Sequence, residues 1–500
     1  MRTLPSAPSL PSLAPSADPP PEDGAAAGPS QPLVRVGIHE GRPEALLAAP
    51  AQEAALGRPL SSMERAFWLL DQGTRFNGVQ ILTVRGPISE GLLRAGLLRL
   101  QARHPLMRVR IAGDDHAPRF TDAGSGPLPL STVRRGSDLH WLQIAEEEMN
   151  RPFRLGDDHL TRVTLLLGPG RADVVIAHHH VTGDALSIVF AVRDLLRDLS
   201  ALQRGEPLPP VRSLQLAPPL GRLLPKEARG LHRYLAMNAF LGKYILKAPL
   251  RRARRLPCEG EAEPVERRLR LGHRELHAAD VAALRERARA EGTSVHAAIC
   301  AALLLSATAE AFAAELTAGR PTRLGCFTAV NLRDRLGPEA GEAMGNFISQ
   351  VTTFHRVVPT PPLWALAREV KGSLRSALRW GEHYLTLPML GLFIPGAWCR
   401  DPAGRFIRRF DGASPAALGV TNLASLPIPR DYGAFTLENY QIGVGVSVVG
   451  QLLAAVTTFG ERMNLNLVFV EPLVSRARAE RILDGALARL RHATAQAQAA

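Results

Sequence analysis

The chain has 500 residues, 46% of them hydrophobic and 21% charged, with 43 glycines and 40 prolines. That is ample apolar material for a large core and too much chain for one compact domain, so two domains are expected. Lysine and arginine outnumber aspartate and glutamate 60 to 47, a formal net charge of +13, which excludes an acidic, solvating disordered chain and leaves nucleic acid, anionic membranes and acidic proteins open as partners.

From Met1 to about Leu56 the sequence is Pro, Ala, Ser and Gly without a sustained period, and a flexible tail is expected there because it cannot bury enough surface to offset its ordering entropy. No signal-peptide core is visible in it. The longest clean apolar run, Ala297 to Leu305, falls well short of the ~20 residues of a membrane span. Cys258, Cys300, Cys326 and Cys399 are far apart, with no Cys-x-x-Cys pair. A soluble protein of the reducing cytoplasm is the expectation.

Order is expected from Ser61, where Ser62-Met63-Glu64-Arg65 precedes Ala66-Phe67-Trp68-Leu69-Leu70 and predicts a short capped helix. The β-branched run Val79 to Val84 predicts a strand, and Ser89 caps a helix with Leu92, Leu93, Gly96, Leu97 and Leu100 on one face. Met107 to Ile111, Arg162 to Leu167 and Val174 to Ala177 are further strands, the last running into three histidines. A helix follows, with Asp184 at its start and Leu186, Val189, Phe190, Leu195, Leu196 and Leu199 as its apolar positions. This alternation predicts an α/β domain over 57–215. The Pro- and Leu-rich stretch Gly205 to Pro219 marks its end.

A basic crossover is expected over 216–262. Its segment Gly221 to Arg255 has ten basic residues and a single acid, Glu227, so most of the net charge sits there. The second α/β half, 263–492, is read as a strand near Val265 to Leu271 and helices over Asp280 to Ala290 and from Ser294. Next come a strand over Arg323 to Val330 and a helix over Leu363 to Arg379. A hairpin of Gln451 to Phe459 with Met463 to Val470, and a final helix Ala477 to Arg491, close the chain.

The chemistry is concentrated in His178-His179-His180-Val181-Thr182-Gly183-Asp184-Ala185-Leu186-Ser187, a strand end, a loop and a helix start, where α/β domains place reactive groups. An imidazole titrates near neutrality and can take a proton from a hydroxyl or amine as it attacks a carbonyl. The plainer readings are a partly buried histidine and an aspartate that only caps a helix.

The run resembles the motif His-His-x-x-x-Asp-Gly of the superfamily of chloramphenicol acetyltransferases, nonribosomal peptide condensation domains and phthiocerol dimycocerosyl transferases, with His179, His180 and Asp184 in the matching places. Arg103-His104-Pro105-Leu106-Met107-Arg108 is similar to an upstream element of these enzymes, and Asn331-Leu332-Arg333 with Gly345-Asn346-Phe347 to a signature of their second half. Ala185 departs from the family glycine.

The resemblance implies two subdomains of chloramphenicol acetyltransferase type, each a mixed sheet with helices, around a tunnel. In it His180 would be the general base and His179 supportive. Asp184 would pair with an arginine, expected to be Arg108, and Asn346 would shape the tunnel. It implies an acyltransferase that moves an acyl group from a CoA or carrier-protein thioester to a hydroxyl or, less favoured, an amine, with no cofactor. Peptide-bond formation and an inactive relative that only binds partners remain alternatives. The absence of a Gly-x-Ser-x-Gly elbow agrees with transfer without an acyl-enzyme.

Two other readings compete. His178 and His180 fall on one side of a strand and could bind zinc, but no third ligand is apparent, and no metal is expected. The crossover could be a solvated linker. It could instead be a basic amphipathic helix that docks an acyl carrier protein or a membrane surface, with Arg251, Arg252, Arg254 and Arg255 as the docking residues. No nucleic-acid module accompanies the charge, and a monomer is expected.

Overall fold

The computed structural model describes residues 57–495 except 115, 123–125, 155–158, 248–252, 359–361, 397 and 413. The tail expected over 1–56, together with Arg251 and Arg252, lies outside the described residues. The first half runs through α1 (Ser62–Asp71), β1 (Asn77–Arg85), α2 (Glu90–Arg103), β2 (Val109–Ala112), β3 (Arg119–Asp122) and β4 (Leu130–Arg134). It continues with α3 (His140–Asn150), β5 (Thr161–Gly168), β6 (Arg171–His179) and α4 (Ala185–Gln203). The crossover carries α5 (Leu220–Leu223) and α6 (Gly230–Lys247). The second half begins with β7 (Arg268–Leu276), α7 (Ala278–Ala290), α8 (Val295–Ala311), α9 (Ala313–Thr317), β8 (Thr322–Asn331), β9 (Ile348–Val357) and α10 (Leu363–Arg379). It ends with α11 (Thr386–Phe393), α12 (Pro402–Phe410), β10 (Leu418–Ser425), β11 (Thr436–Val444), β12 (Leu452–Phe459), β13 (Arg462–Glu471) and α13 (Arg476–Ala495).

Two mixed sheets result, one of order β11-β1-β6-β5-β4 and one of order β7-β13-β12-β10-β8-β9. The half boundaries read from sequence need one correction. β11 belongs by position to the second half, yet it pairs antiparallel with β1, Gly78 opposite Val444 and Leu82 opposite Tyr440, and so completes the first sheet. α3 sits between the sheets. Its Trp141, Ala145 and Met149 join Val79, Val175 and Ala177 of one sheet to Leu271, Leu453 and Val468 of the other in a single apolar cluster. Asn150 Oδ1 accepts from the Leu269 amide at 2.9 Å and pins the helix to the second sheet.

Local chemistry explains the elements nearest the site. The Ser61 hydroxyl accepts from the Glu64 amide at 3.3 Å while Glu64 accepts from the Ser61 amide at 2.7 Å, a capping box that starts α1. α2 crosses α4 closely because Gly96 has no Cβ; one built there would lie 2.6 Å from Leu199. α8, with Ala297 to Ala302 buried all round, is the central helix behind the second sheet. Met107, expected to open a strand, instead ends a short 3-10 turn (Pro105–Met107) set by Pro105, and β2 starts only at Val109.

Candidate active site

β6 delivers the three histidines to three different environments. His179 is fully buried, and its Nδ1 accepts from the Val181 amide at 3.0 Å. Its proton therefore sits on Nε2, which faces Asp71 Oδ2 at 3.4 Å. The other Asp71 oxygen accepts from the Phe76 amide at 3.2 Å. His179 thus ties the end of α1 to the motif loop.

His180 lies just past the strand, its ring packed on Phe67 and Phe76 with centroids 4.5 and 5.6 Å away. Asn346, from the second half, holds it. The Asn346 side-chain NH2 donates to the carbonyls of His180 and Val181 at 2.7 and 3.2 Å, so its Oδ1 must be the atom 3.1 Å from His180 Nδ1. An oxygen there can only accept. His180 consequently carries its proton on Nδ1 and keeps the Nε2 lone pair free for a ligand. Burial lowers its pKa below the ordinary histidine value, against smaller opposing effects of its own carbonyl, Asp184 and Asn346. The ring is neutral at pH 7.

Asp184 caps α4, and donors take up both of its oxygens. Oδ1 accepts from the Ser187 amide at 2.9 Å, and Oδ2 from Arg333 at 2.6 Å and the Phe347 amide at 2.9 Å. Burial alone would raise its pKa, but Arg333 and the two amides outweigh burial and leave it lowered. Arg333 is itself buried, reaches the Ser187 hydroxyl at 2.8 Å and lies 4.5 Å above the Phe347 ring. The Asp184 amide donates to Gly345 O at 3.1 Å. The loop Gly345-Asn346-Phe347 and the motif loop are therefore one hydrogen-bonded unit built from both halves.

This corrects the expected Arg108–Asp184 pair. The upstream element docks lower on α4: Arg103 Nε and His104 Nε2 lie 2.6 and 3.2 Å from Asp194 Oδ2. Asp194 is ten residues beyond Asp184, about 15 Å along the helix, and the arginine paired with Asp184 is Arg333. Arg333, already singled out in Asn331-Leu332-Arg333, takes the place assigned to Arg108.

Two cavities meet at His180 and share Ala329, Ile348, Thr421 and Val444. One, about 90 Å³, is called the polar arm because Gln80, His178, Asn331 and Asn422 stand in a wall that is otherwise largely apolar. The other, about 140 Å³, is apolar, with Met63, Phe67, Leu70, Phe76, Phe327, Leu390 and Phe410. His178, the additional histidine ahead of the motif, lines the polar arm, and burial first, then His180 and His179, push its pKa down to about 3. It sits opposite Gly78 in the sheet, where a Cβ would come within 2.5 Å of its ring. Ala185 occupies the first turn of α4, where its backbone suits alanine; its carbonyl accepts from Gln80 Nε2 at 3.0 Å and its residue lines the polar arm.

Of the expected docking arginines, Arg254 and Arg255 are among the described residues. The Arg254 amide donates to Arg323 O at 2.8 Å, and its guanidinium pairs with Glu315 and lies 4.3 Å above the Phe312 ring. Arg255 lies over Gly412. Sequence reasoning did not single out Asp71, Gln80 or Tyr440. The Tyr440 hydroxyl donates to Gln80 Oε1, and only the pairing of β11 with β1 brings the two together.

Residues 266–470 match the model of the phthiocerol/phthiodiolone dimycocerosyl transferase C-terminus. A linear gramicidin synthase of Brevibacillus parabrevis is 28% identical over 177 residues, which are 32% of this chain and 3% of that protein. A dimodular nonribosomal peptide synthase of Bacillus subtilis is 27% identical over 150 residues, 27% of this chain and 6% of that protein. The chain thus spans only a few per cent of the length of the curated relatives it matches.

Among solved structures, polyketide synthase associated protein 5 of Mycobacterium tuberculosis superposes with a TM-score of 0.60 at 16% identity, over 88% of this chain and 99% of that one. A trichothecene 15-O-acetyltransferase of Fusarium sporotrichioides gives 0.65 at 14% identity, over 90% and 98%. The first condensation domain of the calcium-dependent antibiotic synthetase gives 0.65 at 15% identity, over 88% and 96%. With its paired mixed sheets, and a motif loop and a Gly-Asn-Phe loop joined at the site, the chain has the fold of condensation-domain and chloramphenicol acetyltransferase-like structures, and its second half, residues 266–470, matches the phthiocerol/phthiodiolone dimycocerosyl transferase C-terminus.

Proposed function

We propose that this chain is an acyltransferase that moves an acyl group from a CoA or carrier-protein thioester to a hydroxyl acceptor, with His180 as general base. One observation carries the reading: a neutral imidazole, its Nδ1–H held by Asn346, stands where two cavities meet. Nε2 takes the acceptor O–H proton as that oxygen attacks the thioester carbonyl carbon. The tetrahedral oxyanion collapses, the C–S bond breaks, and the departing thiolate recovers the proton from the imidazolium. Ester and free thiol result, with no acyl-enzyme and no cofactor.

An alcohol suits the site better than an amine. An amine arrives mostly as ammonium, which a base of lowered pKa cannot deprotonate well, and the one carboxylate lining either arm, Asp184, is occupied by Arg333. The apolar arm is the natural place for an aliphatic chain. The test is mass spectrometry of products from a panel of acyl thioesters offered with alcohols and with amines. Esters support the reading; amides alone would transfer it to peptide-bond-type condensation, the activity class named in the curated relatives.

A further inference from the structure

From Tyr384 to Cys399 the sequence contains no charged residue. The stretch holds α11, and its Leu390 lines the apolar arm. Its outer side is not covered: Leu392 is 65% exposed and Trp398 76%. Large apolar side chains grouped outside a soluble domain mark a contact surface.

The borders of this strip are basic. Residues 400–410 contain Arg400, Arg405, Arg408 and Arg409 against the single acid Asp401. α12 buries Phe406 and Ile407 and leaves Arg408 and Arg409 exposed. Arg405 stands 5.1 Å from the Trp398 ring, and Arg409 donates to Phe393 O at 3.4 Å. Phe393 in turn meets Phe410, with centroids 5.3 Å apart, and Phe410 lines the apolar arm. An apolar strip with a tryptophan at its edge and arginines around it combines what an anionic bilayer surface attracts: side chains that enter the headgroup zone and charge that meets lipid phosphates.

We propose that the α11–α12 face docks on an anionic lipid bilayer and that an apolar substrate passes from that bilayer into the apolar arm. Docking stands on the surface alone; substrate delivery rests on the acyl-transfer reading. The crossover helix α6, which also exposes Leu231, Tyr234 and Leu235, does not border the arm and serves as the comparison.

The test is co-sedimentation of the full chain with vesicles of phosphatidylcholine, alone and mixed with phosphatidylglycerol. Wild type and His180→Ala are expected to bind the mixed vesicles equally, which separates docking from chemistry. Arg408→Glu with Arg409→Glu should weaken binding by at least roughly 30-fold. Leu392→Ser with Trp398→Ser should abolish it, and Leu231→Ser with Leu235→Ser should leave it intact. Turnover of a short water-soluble thioester should be the same in the Leu392/Trp398 variant as in wild type, with loss only for long-chain substrate presented in vesicles. No binding of wild type to the mixed vesicles overturns the proposal, as does loss in the α6 variant without loss in the α11–α12 variants. Capture of an acyl carrier protein by this face without vesicle binding also overturns it. Docking without any thioester turnover would overturn the acyl-transfer reading and leave docking standing.

Discussion

In the proposed mechanism His180 acts as a base only if its free lone pair is on Nε2, and a single amide decides that. Asn346 Oδ1 fixes the proton of His180 on Nδ1. Asn346→Ala should lower kcat by roughly 10-fold or more, with less effect on KM, in steady-state assays. Because burial lowers the His180 pKa, the acid limb of the rate profile should lie below pH 6.5. The same burial ties stability to pH. His178, at about 3, and His180 are neutral in the fold, so the unfolded chain binds more protons below the ordinary histidine range and stability falls as pH drops through it. Gly78→Ala would drive a methyl into the His178 ring and should cost about 1–3 kcal/mol in chemical denaturation. The histidine motif was legible in sequence because its residues are neighbours on one strand and loop. The roles of Asn346 and Asp71 were not, since each depends on which atom of a distant side chain meets the imidazole.

At the scale of elements, the joint between the motif loop and the Gly-Asn-Phe loop depends on the buried Asp184–Arg333 pair. Removing either partner leaves the other charge buried, at a cost of about 3–5 kcal/mol. A double-mutant cycle on Asp184→Ala and Arg333→Ala, read by chemical denaturation, should show strong coupling, while Arg108→Ala paired with Asp184→Ala should show none. The lowered Asp184 pKa means that its stabilisation is complete above the ordinary aspartate range and is lost as pH falls through the lowered value. Helices such as α2, α4 and α13 could be read from apolar spacing and caps, because those signals are local. The arginine partner could not: Asp184 and Arg333 are 149 residues apart, and among so many arginines Arg108 was expected only from its place in the upstream element. The docking of Arg103 and His104 on Asp194 sets that element lower on α4.

For the whole molecule, the exchange of β11 into the first sheet makes each half incomplete alone. The apolar cluster around α3 spans both sheets, and the site itself is assembled from both. The full chain should therefore unfold in a single cooperative transition, with calorimetry and far-UV circular dichroism giving the same midpoint; two separated transitions would contradict this joint core. Alternating strands and helices revealed two α/β halves, but a strand that leaves one half to pair with the other carries no local mark in its sequence. The basic charge, read at first as a property of the crossover, is partly taken up by internal pairs such as Arg254–Glu315. The exposed arginines of α12 lie beside the apolar arm. The most direct measurement is the rate of acyl-thioester consumption with an alcohol acceptor by wild type and by folded His180→Ala. A loss of about 10²–10⁴-fold is predicted; equal rates would contradict His180 as the base.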